Sequence, residues 1–74
     1  MGSVLDLRGK ICPEPFLVIM KRFSELEPGE SIEAMLDSWR CVLLLVEAMK
    51  STKTGVADVE EKDDYYYVRV TKLR

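Results

Sequence analysis

Apolar and polar side chains alternate over Val4-Leu5-Asp6-Leu7-Arg8, with Leu5 and Leu7 on one face, and the alternation stops at Gly9-Lys10. A short strand is predicted there. After Cys12-Pro13-Glu14-Pro15, the apolar residues Phe16, Ile19, Met20 and Phe23 recur at helical spacing, and Leu26 prolongs the stripe up to Glu27-Pro28-Gly29. The spacing predicts a first helix over 13–26. Pro13 at its first position loses nothing, because that position's N–H has no intrahelical partner, and Pro15 still falls in the first turn. This places Cys12 at the N-cap. From Glu30 the period returns to two, with Ile32, Ala34 and Leu36 on one face and Glu33, Met35 and Asp37 on the other, so a second strand is expected.

Asp37-Ser38 supplies cap-type side chains, after which Val42, Leu45, Val46 and Met49 recur at helical spacing until Ser51–Thr54 and Gly55 end the run. A second helix over 39–52 follows. The unbroken Val42–Val46 stretch also suits a strand, but Glu47-Ala48-Met49-Lys50 continues with good helix formers. The segment 55–61 alternates around Ala57 and Val59, Lys62-Asp63-Asp64 interrupts, and Tyr65–Thr71 is rich in β-branched and aromatic residues, which predicts a terminal hairpin. In its last strand Tyr66, Val68 and Val70 share the core face and Tyr65, Tyr67 and Arg69 the other. The order β-α-β-α-β-β with right-handed crossovers gives an α+β fold: a two-layer α/β sandwich, with both helices on one face of a four-stranded mixed sheet.

Length bounds this fold to a single domain spanning 1–74, since 74 residues with 47% hydrophobic side chains are too few to split and too apolar to be disordered. A chain this short has little room for a deep substrate cavity, so its chemistry is expected at the surface, completed by a partner. Eleven Lys and Arg against thirteen Asp and Glu give a net charge of −2, which disfavours a nucleic-acid partner. No apolar run approaches the roughly 20 residues that span a bilayer, and the N-terminal residues carry no signal-peptide pattern. A cytoplasmic protein without a membrane partner is expected. In that reducing compartment the two cysteines are expected as thiols rather than as a structural disulfide. With no histidine, they cannot complete a four-ligand zinc site, and a Cys/His nucleophile pair is excluded. No cofactor or metal is expected.

What remains is thiol chemistry tuned by the backbone. A helix N-terminus favours an anion by about 0.3–1 kcal/mol, up to about 2, which can lower a thiol pKa by up to about 1.5 units. First-turn N–H groups aimed at Cys12, with Arg8 and Lys10 nearby and Glu14 opposing, predict a moderately activated thiol. The plainer alternative is an ordinary capping cysteine. Cys41 reads foremost as a small apolar residue buried in a Val-Leu-rich helix. Its alternative is a resolving or second functional thiol, because both helices start at the carboxyl ends of neighbouring parallel strands. Trp39 and Arg40 lie at that same edge as candidate partner contacts, against a simple packing role for Trp39. Lys21 and Arg22 are candidates to meet an acidic partner, against a solvated face.

Leu5-Asp6-Leu7-Arg8-Gly9-Lys10-Ile11-Cys12-Pro13-Glu14-Pro15, followed by an apolar helix, Pro28-Gly29-Glu30 and a β-rich end, resembles the TusA/SirA family of small sulfur-carrier proteins over nearly the whole chain. The resemblance centres on the Cys-Pro-x-Pro motif. It implies that Cys12 carries sulfur as a persulfide, received from a cysteine desulfurase or another sulfurtransferase and passed to an acceptor protein. Pro13 and Pro15 are then residues that rigidify the helix start, and the chain is a sulfurtransferase-type carrier rather than a stand-alone enzyme. The sequence departs from the family's pattern after the second strand, where Ser38-Trp39-Arg40 follows Asp37 in place of a second Asp or a Cys and then Pro. Two other readings stand beside this one. One is a thiol–disulfide redox protein using Cys12 and Cys41, which requires their Cα atoms within roughly 7 Å. The other is an RNA-binding or regulatory module, because the element order resembles the C-terminal domain of bacterial translation initiation factor three.

Overall fold

A computed structural model describes residues 4–74, so the start of the chain, on which the absence of a targeting segment rests, lies outside it. Six elements follow the expected order: β1 (Val4–Asp6), α1 (Glu14–Ser24), β2 (Ser31–Leu36), α2 (Trp39–Thr52), β3 (Gly55–Glu61) and β4 (Tyr66–Lys72). The sheet order is β1-β2-β4-β3, with β1 parallel to β2 and the other two pairings antiparallel. The β2–β4 register sets Ile32 against Val70, Ala34 against Val68 and Leu36 against Tyr66. These are the positions that period-two reading assigned to the inner face, and a one-residue slip would turn all of them outward. Ile19 and Phe23 of α1 and Val42, Leu45 and Met49 of α2 close over Ala34, Leu36, Val68 and Val70 in one core. Among the described residues no helix is long and apolar enough to cross a membrane.

The differences from expectation lie at element ends. The first strand stops at Asp6 rather than Arg8, because the Asp6 carboxylate accepts the Arg8 backbone N–H and starts a turn that Gly9 completes at φ 82°. Helix α1 ends at Ser24 rather than 26, where the N–H groups of Glu25 and Leu26 bond three residues back, to Arg22 and Phe23, and tighten the last turn. Its N-cap is Pro13, so Cys12 precedes the cap instead of forming it. The long apolar run is helical, and α2 ends on Lys53 in the left-handed conformation at φ 57°.

Gly55 is required by packing rather than by a turn. A Cβ built there would lie 2.7 Å from Phe23 Cζ, 2.7 Å from the Thr71 carbonyl oxygen and 2.9 Å from Met49 Sδ. Backbone cannot yield as a flexible side chain can, so Gly55→Ala is expected to destabilise the fold by about 1–3 kcal/mol in urea titration. A loss below about 0.5 kcal/mol, the usual range for surface changes, would show that the cluster relaxes freely.

Candidate functional site

Because β1 and β2 are parallel neighbours, the chain leaves both at the same sheet edge, and the turns into α1 and α2 meet there. Asp37, which read from sequence as a capping residue, performs a different task. Its Oδ2 accepts the Gly9 N–H at 2.7 Å and ties the β2–α2 turn to the loop that leads to Cys12. In the sequence Gly9 marks only the end of a strand, and nothing near it names the acceptor of its N–H.

Cys12 is half-buried at the turn into α1, and Cys41 is fully buried in the first turn of α2. Their Cα atoms lie 5.7 Å apart and the sulfurs are joined as a disulfide. This corrects the expectation of two separate thiols. Reasoning from compartment says nothing about geometry, whereas two helices starting at one sheet edge bring their first turns into bonding range. The expected burial of Cys41 and its proximity to Cys12 therefore hold together.

The electrostatics also differ from expectation. Of the first-turn donors of α1, Pro13 and Pro15 have none and the Glu14 N–H is spent on the Ile11 carbonyl at 2.9 Å. The activating cations are engaged elsewhere: Arg8 grips Asp6 in a bidentate pair at 2.9 and 3.0 Å and stacks over the Tyr65 ring, while Lys10 faces Glu14 at 3.8 Å. Helix α2 is the better-placed dipole. Cys41 lies in its first turn, and its N-cap Ser38 makes no side-chain cap bond that would occupy a first-turn N–H.

Three hydrogen bonds from Arg8, two from its guanidinium and one from its backbone N–H, hold the Asp6 carboxyl at about 2, below the usual carboxylate range. A carboxyl whose folded pKa is depressed stabilises the fold above its unfolded pKa, so this contribution is complete at neutral pH and fades as pH falls from about 4 towards 2. Arg8→Gln should return the Asp6 midpoint, followed by carboxyl NMR, towards 4. An unchanged midpoint would assign the shift to something other than this pair.

The remaining candidates separate into two groups. Trp39 and Arg40 stand beside the disulfide, and with Leu43 and Leu44 they line an open groove of about 610 Å³. Trp39 is 50% exposed, one face resting on Tyr66 with ring centroids 5.2 Å apart, so it both packs and remains presentable. Sequence reading did not single out Leu43 and Leu44, because within the apolar Val42–Val46 run nothing but their position off the core stripe distinguishes them. Ile11, directly before Cys12, is 83% exposed and was likewise overlooked. Lys21 and Arg22 are exposed in the last turn of α1, away from the sulfurs at its start. The structure does not bring them into the site.

A model of the family described as Sulfurtransferase TusA matches residues 3–72. The chain belongs to this family. The chain is also similar to a protein of Archaeoglobus fulgidus, 28% identical over 71 residues and covering 96% of this chain and 97% of its own, whose name proposes a sulfur-carrier role. A Thermotoga maritima protein with the same name is 29% identical over 59 residues, covering 80% of this chain and 75% of its own. In three dimensions the chain resembles the crystal structure of a SirA-like protein from Desulfitobacterium hafniense, with a TM-score of 0.80 at 23% identity over 96% of this chain and 97% of that one. That likeness shows the fold, and the TusA-family match shows the membership.

Proposed function

We propose that this TusA-family chain carries sulfane sulfur as a persulfide on Cys12, taking it from a donor such as a cysteine desulfurase or another sulfurtransferase and delivering it to an acceptor protein. The supporting observation is the position of Cys12: within the Cys-Pro-x-Pro motif, partly accessible, at an edge flanked by exposed Ile11, Trp39 and Arg40. The names of its relatives agree with a carrier role. Loading is an exchange at sulfur. The Cys12 thiolate attacks the outer sulfur of the donor's persulfide, the donor's S–S bond breaks, and the donor leaves as a thiolate. Because the chain has no histidine to serve as a general base beside Cys12, the donor and acceptor complete the site, and the chain acts as a carrier rather than as a stand-alone enzyme. A cytoplasmic setting supplies the reducing power that opens the Cys12–Cys41 bond before loading.

The groove of Trp39, Arg40, Leu43 and Leu44 is the surface on which such partners dock, apolar at its centre with one guanidinium at its side. The direct test is intact mass after reduced Cys41→Ala is incubated with a cysteine desulfurase and cysteine. A gain of about 32 Da, one sulfur atom, reversed by reductant, supports the carrier. No gain with a desulfurase or with a thiosulfate sulfurtransferase overturns it. The Cys12–Cys41 pairing favours a second reading, a thiol–disulfide redox protein, which predicts disulfide exchange with dithiols and no such gain.

A further inference from the structure

Cys41 is bonded to the carrier sulfur in this structure, yet its wholly buried side chain leaves it out of reach of donor and acceptor alike. A thiol so placed cannot hand a terminal sulfur to a partner, because none of its side chain is exposed for the partner to reach. What it can reach is the inner sulfur, Cys12 Sγ, to which it is bonded in this structure. We propose that Cys41 is a resolving thiol that discharges the Cys12 persulfide as sulfide, giving the chain an outlet for its sulfur besides transfer to an acceptor. This rests on the carrier reading above.

The step balances without an outside oxidant. The Cys41 thiolate attacks Cys12 Sγ, the bond from Cys12 Sγ to the terminal sulfur breaks, and the terminal sulfur leaves as hydrosulfide. The sulfane sulfur gains two electrons, and the two cysteine sulfurs lose them as they join. A dithiol reductant of the thioredoxin class then returns both cysteines to thiols, itself becoming a disulfide. The 5.7 Å Cα separation falls inside the roughly 4.4–6.8 Å range of relaxed disulfides, so closure asks for no backbone shift. Cys41 sits in the first turn of α2, whose N-cap Ser38 contributes no side-chain bond, so the open end of the helix dipole favours the attacking thiolate. Selectivity follows from position, since a docked acceptor takes the outward terminal sulfur while Cys41 approaches from within.

The test uses reduced wild-type chain and Cys41→Ala, freed of reductant and kept without oxygen, each mixed with a stoichiometric sulfurtransferase charged from thiosulfate and freed of its excess. Wild type should release about one sulfide per chain and end about 2 Da below its reduced mass, whereas Cys41→Ala should stay about 32 Da heavier and release sulfide only after a small thiol is added. Wild type that keeps the added sulfur with Cys41 still alkylatable overturns the inference and leaves the carrier intact. Sulfur recovered on the Cys41 peptide, or Cys41→Ala losing sulfide at the wild-type rate, overturns it equally. If Cys41→Ala does not fold, the wild-type arm alone decides between persulfide and disulfide. If neither chain takes sulfur from the charged donor, the carrier reading falls and the resolving role with it.

Discussion

Cys12→Ser is expected to abolish sulfur loading, while Cys41→Ser should take up sulfur from the same donor and hold it until reductant is added. Serine at position 12 costs the fold little, for a reason the structure changes: Cys12 precedes the cap of α1 and caps nothing, so its replacement removes no helix-terminal bond. It is also half-buried rather than sealed in the core. The oxygen cannot form a transferable sulfane bond, so fold and chemistry separate cleanly. The measurement is intact mass of both reduced variants after exposure to a charged donor, with circular dichroism to confirm folding. The expected contrast is complete, a gain of about 32 Da in one chain and none in the other. If Cys12→Ser gained the reducible mass and Cys41→Ser did not, the carrier would be Cys41.

The strands and helices were legible because burial is periodic. Ile32, Ala34 and Leu36 alternate, Ile19 and Phe23 recur by helical turns, and the structure buries or half-buries these positions. The parallel β1–β2 pair was legible too, and with it the fact that α1 and α2 begin at one edge. What the spacing could not carry was the fine geometry of that edge. The Asp37 bond to the Gly9 N–H joins residues 28 apart and leaves no local signature. Sequence proximity suggested that Arg8 and Lys10 act on Cys12, but each has a carboxylate closer to hand, Asp6 and Glu14, and opposite charges within reach pair before they tune a distant thiol. Prolines that mark a helix start also remove its N–H donors, so the motif that located Cys12 weakens the activation first attributed to α1.

The core should yield a second large effect. Leu45 is wholly buried among α1 and the sheet, while its neighbour Leu44 is 38% exposed on the groove, so one helix holds two leucines of identical chemistry and opposite surroundings. Leu45→Ala loses the transfer free energy of its buried carbons and leaves a void that close-packed neighbours fill only in part, a cost of about 2–5 kcal/mol. A chain of this length holds roughly 4–11 kcal/mol in total at about 0.05–0.15 kcal/mol per residue, so that single change removes a large share and sharply lowers the urea midpoint. Leu44→Ala should move it by no more than about 0.5 kcal/mol. Both are measured on reduced protein, because a link closing a loop of 29 residues adds about 3–4 kcal/mol by restricting the unfolded chain and would mask the comparison. Equal losses at the two positions would mean that α2 is rotated about its axis relative to this structure, and the apolar groove beside Cys12 would then be part of the core.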